Sequence, residues 1–170
     1  MPEGVDAQIA PVAEENKVPT RFSTDKEVAR AKAGVQEFTE TFARSTISQR
    51  RFLRYGQLHD KLHSMFLGIK PLSDIYPLAE TMIKLPLPAR FHTTDQYVYD
   101  EEQVQDTIGV NPDVFDDIAA FNGNISAYLY DLLIVRKAQD YRSSEKDTAR
   151  VGILFGYPRE AVLEFARHNS

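Results

Sequence analysis

The chain predicts an all-α fold, a bundle of about six or seven helices with a proline-rich loop, and three patterns carry that expectation. Val114, Ile118, Phe121, Ile125, Tyr128, Leu132 and Val135 recur at steps of four and three, which places them on one face of a helix. Val28, Ala31, Val35, Phe38 and Phe42 repeat the same stepping near the start of the chain. Strand-type composition is confined to one stretch, FHTTDQYVY at residues 91–99, which is expected to form an ordered loop with its aromatics docked on the bundle.

Residues 1–20 hold three prolines, four acids and no aromatic side chain. Such a segment buries too little apolar surface to offset its ordering entropy, so a disordered or loosely docked tail is expected there. A single helical domain is expected over 21–170. Thr24-Asp25-Lys26-Glu27 fits the T-x-x-E capping box and opens a helix to about Arg44. Gly34 lies off the apolar stripe. It costs this helix roughly 1 kcal/mol against alanine and admits a close neighbour.

Residues 48–69 read as helical, bent or in two pieces, with Leu58, Leu62, Met65 and Ile69 inward. Pro71, Pro77, Pro86 and Pro88 punctuate the next part. Pro77 favours the first turn of a helix to about Leu85, and Leu85-Pro86-Leu87-Pro88 must be extended. Asp100 caps a short helix ending before Gly109. Asn111-Pro112 is a start signal, with Asp113, Asp116 and Asp117 at the positive end of the helix dipole. Asn122-Gly123-Asn124 has turn chemistry, yet the stripe keeps phase across it, so one long helix to Asp140 is expected. Ser144 and Asp147 form an S-x-x-D box opening a helix to about Phe155. Gly156 stops that helix, and Tyr157-Pro158 restarts a last one with Ala161, Val162, Phe165 and Ala166 as its apolar stripe.

The chain has no cysteine, which excludes disulfides, thiol catalysis and Cys-ligated metal centres. No apolar run reaches the roughly 18–20 residues of a membrane span, and no signal-peptide pattern opens the chain, so a cytoplasmic protein without membrane contact is expected. Charge is segregated: residues 21–70 carry ten bases and five acids, and residues 71–134 carry two bases and eleven acids. Such asymmetry marks a partner surface.

Candidate chemistry is sparse. His59 and His63 lie four apart, on one helix face, with Asp60 between them. The sequence HDKLH lacks the glutamate of HExxH, and no metal or other cofactor is expected. Arg54 and His59 make an R-x4-H spacing that is similar to the Arg/His pair of all-helical HEPN ribonucleases. That resemblance implies His59 as acid and base and Arg54 on a phosphate, with His63 as a further candidate. Tyr55 stands where those enzymes usually carry a polar residue. Arg50, Arg51, Arg54 and Lys61 form the densest basic cluster and are the candidate binding residues, for phosphates, RNA or acids of a partner. Nucleotide-binding glycine loops and the G-x-S-x-G elbow are missing. The reading that follows is a protein-interaction or regulatory module without catalytic activity of its own. It binds a protein partner, with a homodimer through the stripes as one form. A phosphate-directed enzyme or RNase is the alternative, and nucleic acid is the lesser partner class.

Overall fold

The computed structural model describes residues 24–54, 57–139 and 144–169, apart from the side chains of Arg54 and Gln57. The expected tail at 1–20 lies outside the described residues. The described residues are mostly helical, 67% helix, with a small three-stranded sheet.

Helix α1 (Asp25–Arg44) starts at Thr24, whose side chain accepts from the Glu27 amide while Glu27 reaches back, completing the box. Its C-terminal end is closed by Arg50, which donates to the carbonyls of Ala43 and Ser45 at 3.0 Å. α1 packs along α3 (Gln57–Phe66), with α2 (Ile47–Arg54) between them in sequence. The buried residues of α1 are Gly34 and Thr41 rather than the whole apolar stripe, and Val35 remains 50% exposed. Gly34 meets the backbone of Phe66, so contact at the crossing takes precedence over side-chain burial.

Residues expected as an ordered loop form a sheet instead. β2 (Phe91–Thr93) and β3 (Tyr97–Asp100) make a hairpin, and β1 (Leu72–Asp74) pairs antiparallel on the other side of β3. All four residues of β3 are buried, and the alternation of a strand sends them to two different cores. Val98 joins Leu53, Leu58, Leu62, Met65 and Met82 on one face. Tyr97 and Tyr99 join Val104, Phe115, Tyr128 and Leu154 on the other. The short helix α4 (Ala79–Ile83) lies on the first face.

Asp100 is fully buried at the junction. It caps α5 (Glu101–Val110) by accepting from the Gln103 amide, and it accepts from Arg90 Nε at 2.8 Å. Arg90 also grips Glu37 of α1, and Gln103 Nε2 donates to the Met65 carbonyl of α3 at 2.6 Å. The Glu37 carboxylate, reinforced by Asp100, raises the guanidinium pKa further above its ordinary value despite burial. One polar joint thus ties α1, α3, the sheet and α5 together.

The long helix expected over 111–140 is corrected in two places. Asn111 ends α5 as its C-cap instead of starting a helix. A 3-10 turn (Asp116–Phe121) then stops at Asn122, which is left-handed at φ 51°, followed by Gly123 at φ 76°. Asn124 opens a new helix by accepting from the Ala127 amide. Turn chemistry prevails over the phase of the stripe because the stripe survives the break: Ile125, Tyr128, Leu129 and Leu132 still enter the core. α6 (Ile125–Tyr130) runs through a π-helical turn (Asp131–Val135) into α7 (Arg136–Gln139). α8 (Glu145–Leu154) is capped by Ser144. Gly156 at φ 83° turns the chain into α9 (Arg159–Asn169), which buries Val162 and Ala166 while Phe165 stays 60% exposed.

Candidate functional site

The residues singled out in the sequence fall into places that are mostly structural. His59 and His63 stack on each other at 5.6 Å, and both meet the Phe38 ring at about 5.5 Å, at the half-exposed edge of the α1–α3 joint. His59 Nδ1 lies 3.2 Å from Asp60 Oδ1. Among the described residues no group of three or more His, Asp or Glu is arranged to hold a metal ion. Arg50 closes α1 and lies 5.8 Å over the Phe42 ring, and Lys61 donates to the Asp74 carbonyl. Arg51 is exposed on α2. The Arg54 side chain lies outside the described residues, so its distance to His59 is not defined. The basic cluster is therefore dispersed: Arg50 and Lys61 serve backbone carbonyls on different elements.

The expected helix-start acids have other partners as well. Asp113 pairs with Arg159 at 2.6 Å. Asp116 pairs with Lys146 and with Arg150. Asp117 Oδ2 lies 2.7 Å from Arg136 and 3.2 Å from Arg150, and its Oδ1 accepts from the Tyr128 hydroxyl at 3.1 Å. The acids hold α7, α8 and α9 to the 3-10 segment and the turn before it, so their role is tertiary pairing rather than local capping.

The π-helical turn has a local cause. The Arg136 amide bonds to the Asp131 carbonyl five residues back, and Arg136 Nε bonds to Asp131 Oδ2 at 2.6 Å. In a regular α-helix residues five apart lie roughly 140° apart around the axis, too far round for such a pair. Widening the turn brings the two side chains to one side. The shift also turns Arg136 toward α8, where Nη1 donates to Asp147 Oδ1 at 2.9 Å, a site shared with Arg150 Nη1 at 2.7 Å. Widened turns of this kind are frequent at functional sites.

Beside this turn lies an open groove of about 780 Å³. Leu132, Leu133, Val151 and Phe155 make its apolar floor, and Tyr76, Gln96 and Tyr97 bring the end of the sheet to it. Its volume falls within the roughly 300–1,000 Å³ of ligand pockets. Tyr97, Arg136, Lys137 and Thr148 also line it, and among the described residues the Lys137 ammonium and the Arg136 Nη2 have no hydrogen-bond partner. Burial pushes the Tyr97 hydroxyl up to about 12, so it stays a proton donor at neutral pH. Sequence reading missed this groove. The available signal was an Asp131–Arg136 pair five apart within an apolar helix, a spacing that only a widened turn satisfies.

The ion pairs on the groove wall give a pH dependence of fixed sign. Burial pushes the Asp147 carboxyl up, but hydrogen bonds from Arg150 and Arg136 outweigh it and hold its pKa below the ordinary 3.8. The Lys146 and Arg150 contacts lower that of Asp116 likewise. A carboxylate depressed in the folded state adds stability that is present above the unfolded pKa and lost as pH falls through the folded one. Thermal melting should therefore decline on acidification below about pH 4, with the decline shallower in Asp147→Asn. Melting curves between pH 5 and pH 2.5 test this, and identical acid limbs for the two proteins would contradict it.

The chain matches no family model, no curated protein and no solved structure. No helix among the described residues is long and apolar enough to cross a membrane.

Proposed function

We propose that this chain is a cytoplasmic, non-catalytic binding module that takes a segment of a protein partner in the groove beside the π-helical turn. The observation that carries the reading is the combination, at one place, of an apolar floor with polar groups that have no partner among the described residues. Arg90, Arg150 and Arg159, by contrast, are taken up by carboxylates of the fold itself. The ribonuclease reading has no comparable support, since the His59 ring lies against Phe38 and His63. In this reading the contact surface is the sheet–helix groove, where the sequence alone pointed to the acidic loop side or the basic helix.

Affinity capture with immobilised chain tests it, using Leu133→Gln in the groove and Arg51→Glu on the basic helix, both checked for native melting. A saturable protein partner should be kept by Arg51→Glu and lost by Leu133→Gln. Loss with Arg51→Glu alone would return the contact to the basic helix. Equal capture by both variants, or no saturable partner, would sink the groove reading.

A further inference from the structure

Resting on that reading, we propose that the groove recognises the free carboxyl terminus of the partner's chain, ending in apolar residues. Two cationic groups stand side by side in sequence at the groove. Lys137 is exposed and has no partner among the described residues. Arg136 uses Nε on Asp131 and Nη1 on Asp117 and Asp147, which leaves Nη2 as an unengaged donor. Tyr97 and Thr148, which also line the groove, carry a hydroxyl each. Cationic donors of this kind suit a carboxylate, and their charge assistance makes such bonds short and strong. The apolar floor of Leu132, Leu133, Val151 and Phe155 belongs to the same groove. A chain terminus presents its charge directly beside its last side chain, whereas an internal Asp or Glu carries its charge at the end of a polar side chain. Capture of a terminal carboxylate is an established mode of peptide recognition.

The surrounding charge narrows the ligand. Asp74 and Asp147 also line the groove, and the adjoining network sets Asp116, Asp117, Asp131 and Asp147 against Arg136, Arg150 and Lys146. A polyanion such as RNA meets repulsion from these carboxylates, whereas a single carboxylate needs only the Lys137 ammonium and the one remaining Arg136 donor. Arg136 also holds the fold, so Lys137 is the position at which recognition separates from stability.

The test uses a pool of N-acetylated hexapeptides ending in Leu, Val or Phe, as free acids and as carboxamides. The free-acid pool should move the backbone amide resonances of Leu133, Lys137 and Thr148. Titrated binding should weaken roughly tenfold for the carboxamides and for Lys137→Met, the loss of one charge-assisted hydrogen bond. Equal binding of acid and amide pools, or undiminished binding to Lys137→Met, overturns the proposal. Octanoate binding as tightly as the peptides overturns it too, by assigning the groove to a small apolar acid. Silence of both pools also overturns it, while Leu133-dependent partner capture would leave the binding-module reading standing.

Discussion

Gly34→Ala should lower stability by about 3 kcal/mol, although the same change in an exposed helix gains roughly 1 kcal/mol. A Cβ at Gly34 would stand 1.8 Å from the Phe66 carbonyl oxygen and 2.5 Å from its carbon. These are backbone atoms of α3, so no side chain can rotate away, and α1 must lift off its seat. For a domain of this size the cost corresponds to a melting temperature roughly 6–12 °C lower. Gly109→Ala is the matched control. It lies in α5 with nothing within 4 Å of its built Cβ, so it should be neutral or slightly stabilising. Calorimetry on the two variants decides the matter, and a Gly34→Ala protein that melts at or above the parent would refute the close crossing.

Arg150→Met should cost about 3–5 kcal/mol, the range for removing one member of a buried ion pair. The Arg150 side chain is only 6% exposed. It donates to the Val114 carbonyl at 2.8 Å, to Asp147 at 2.7 Å and to Asp116 at 2.7 Å. Without it, Asp117 and Asp147 face each other with Arg136 as their remaining cation, and the Val114 carbonyl loses its donor. Methionine keeps much of the volume, so the loss reports charge and hydrogen bonding rather than a void. Adding Asp117→Asn to Arg150→Met should recover part of the stability by removing one stranded charge, and denaturant titration of the double-mutant cycle measures that coupling. Strictly additive effects would mean that the two groups act independently.

Local signals in the chain were legible where one residue and its near neighbours settle the outcome. The Thr24 box, the Asp100 cap, the Ser144 cap and the Gly156 stop all rest on hydrogen bonds within a few residues. The stripes of α3 and of 125–132 were legible for a related reason, since periodic apolar residues enter a core from either a continuous or a broken helix. Misreadings arose where two local rules competed. Asn111-Pro112 resembles a helix start, but the Asn111 amide bonds back to the Ile108 carbonyl and closes α5. At 122–124 the periodic stripe pointed to continuity, and the left-handed residues broke the helix.

The candidate site was the least legible part. Arg50 and Lys61 looked available in the sequence because their carbonyl partners, Ala43, Ser45 and Asp74, carry no mark as acceptors. The residues of the groove come from three separated stretches around positions 74–76, 96–97 and 132–155. No spacing rule links them.

What the sequence determined by itself was the helical character of the chain, most helix boundaries and the buried faces of α3 and of residues 125–132, because propensity, capping and periodicity act over a few residues. What only the tertiary structure decided was the sheet, the partners of the charges and the groove. β1 becomes a strand because β3 lies beside it, and Asp117 takes its partners from α7 and α8. Each is a pairing of distant residues, whose free energy depends on geometry created only when the helices have closed around both faces of the sheet.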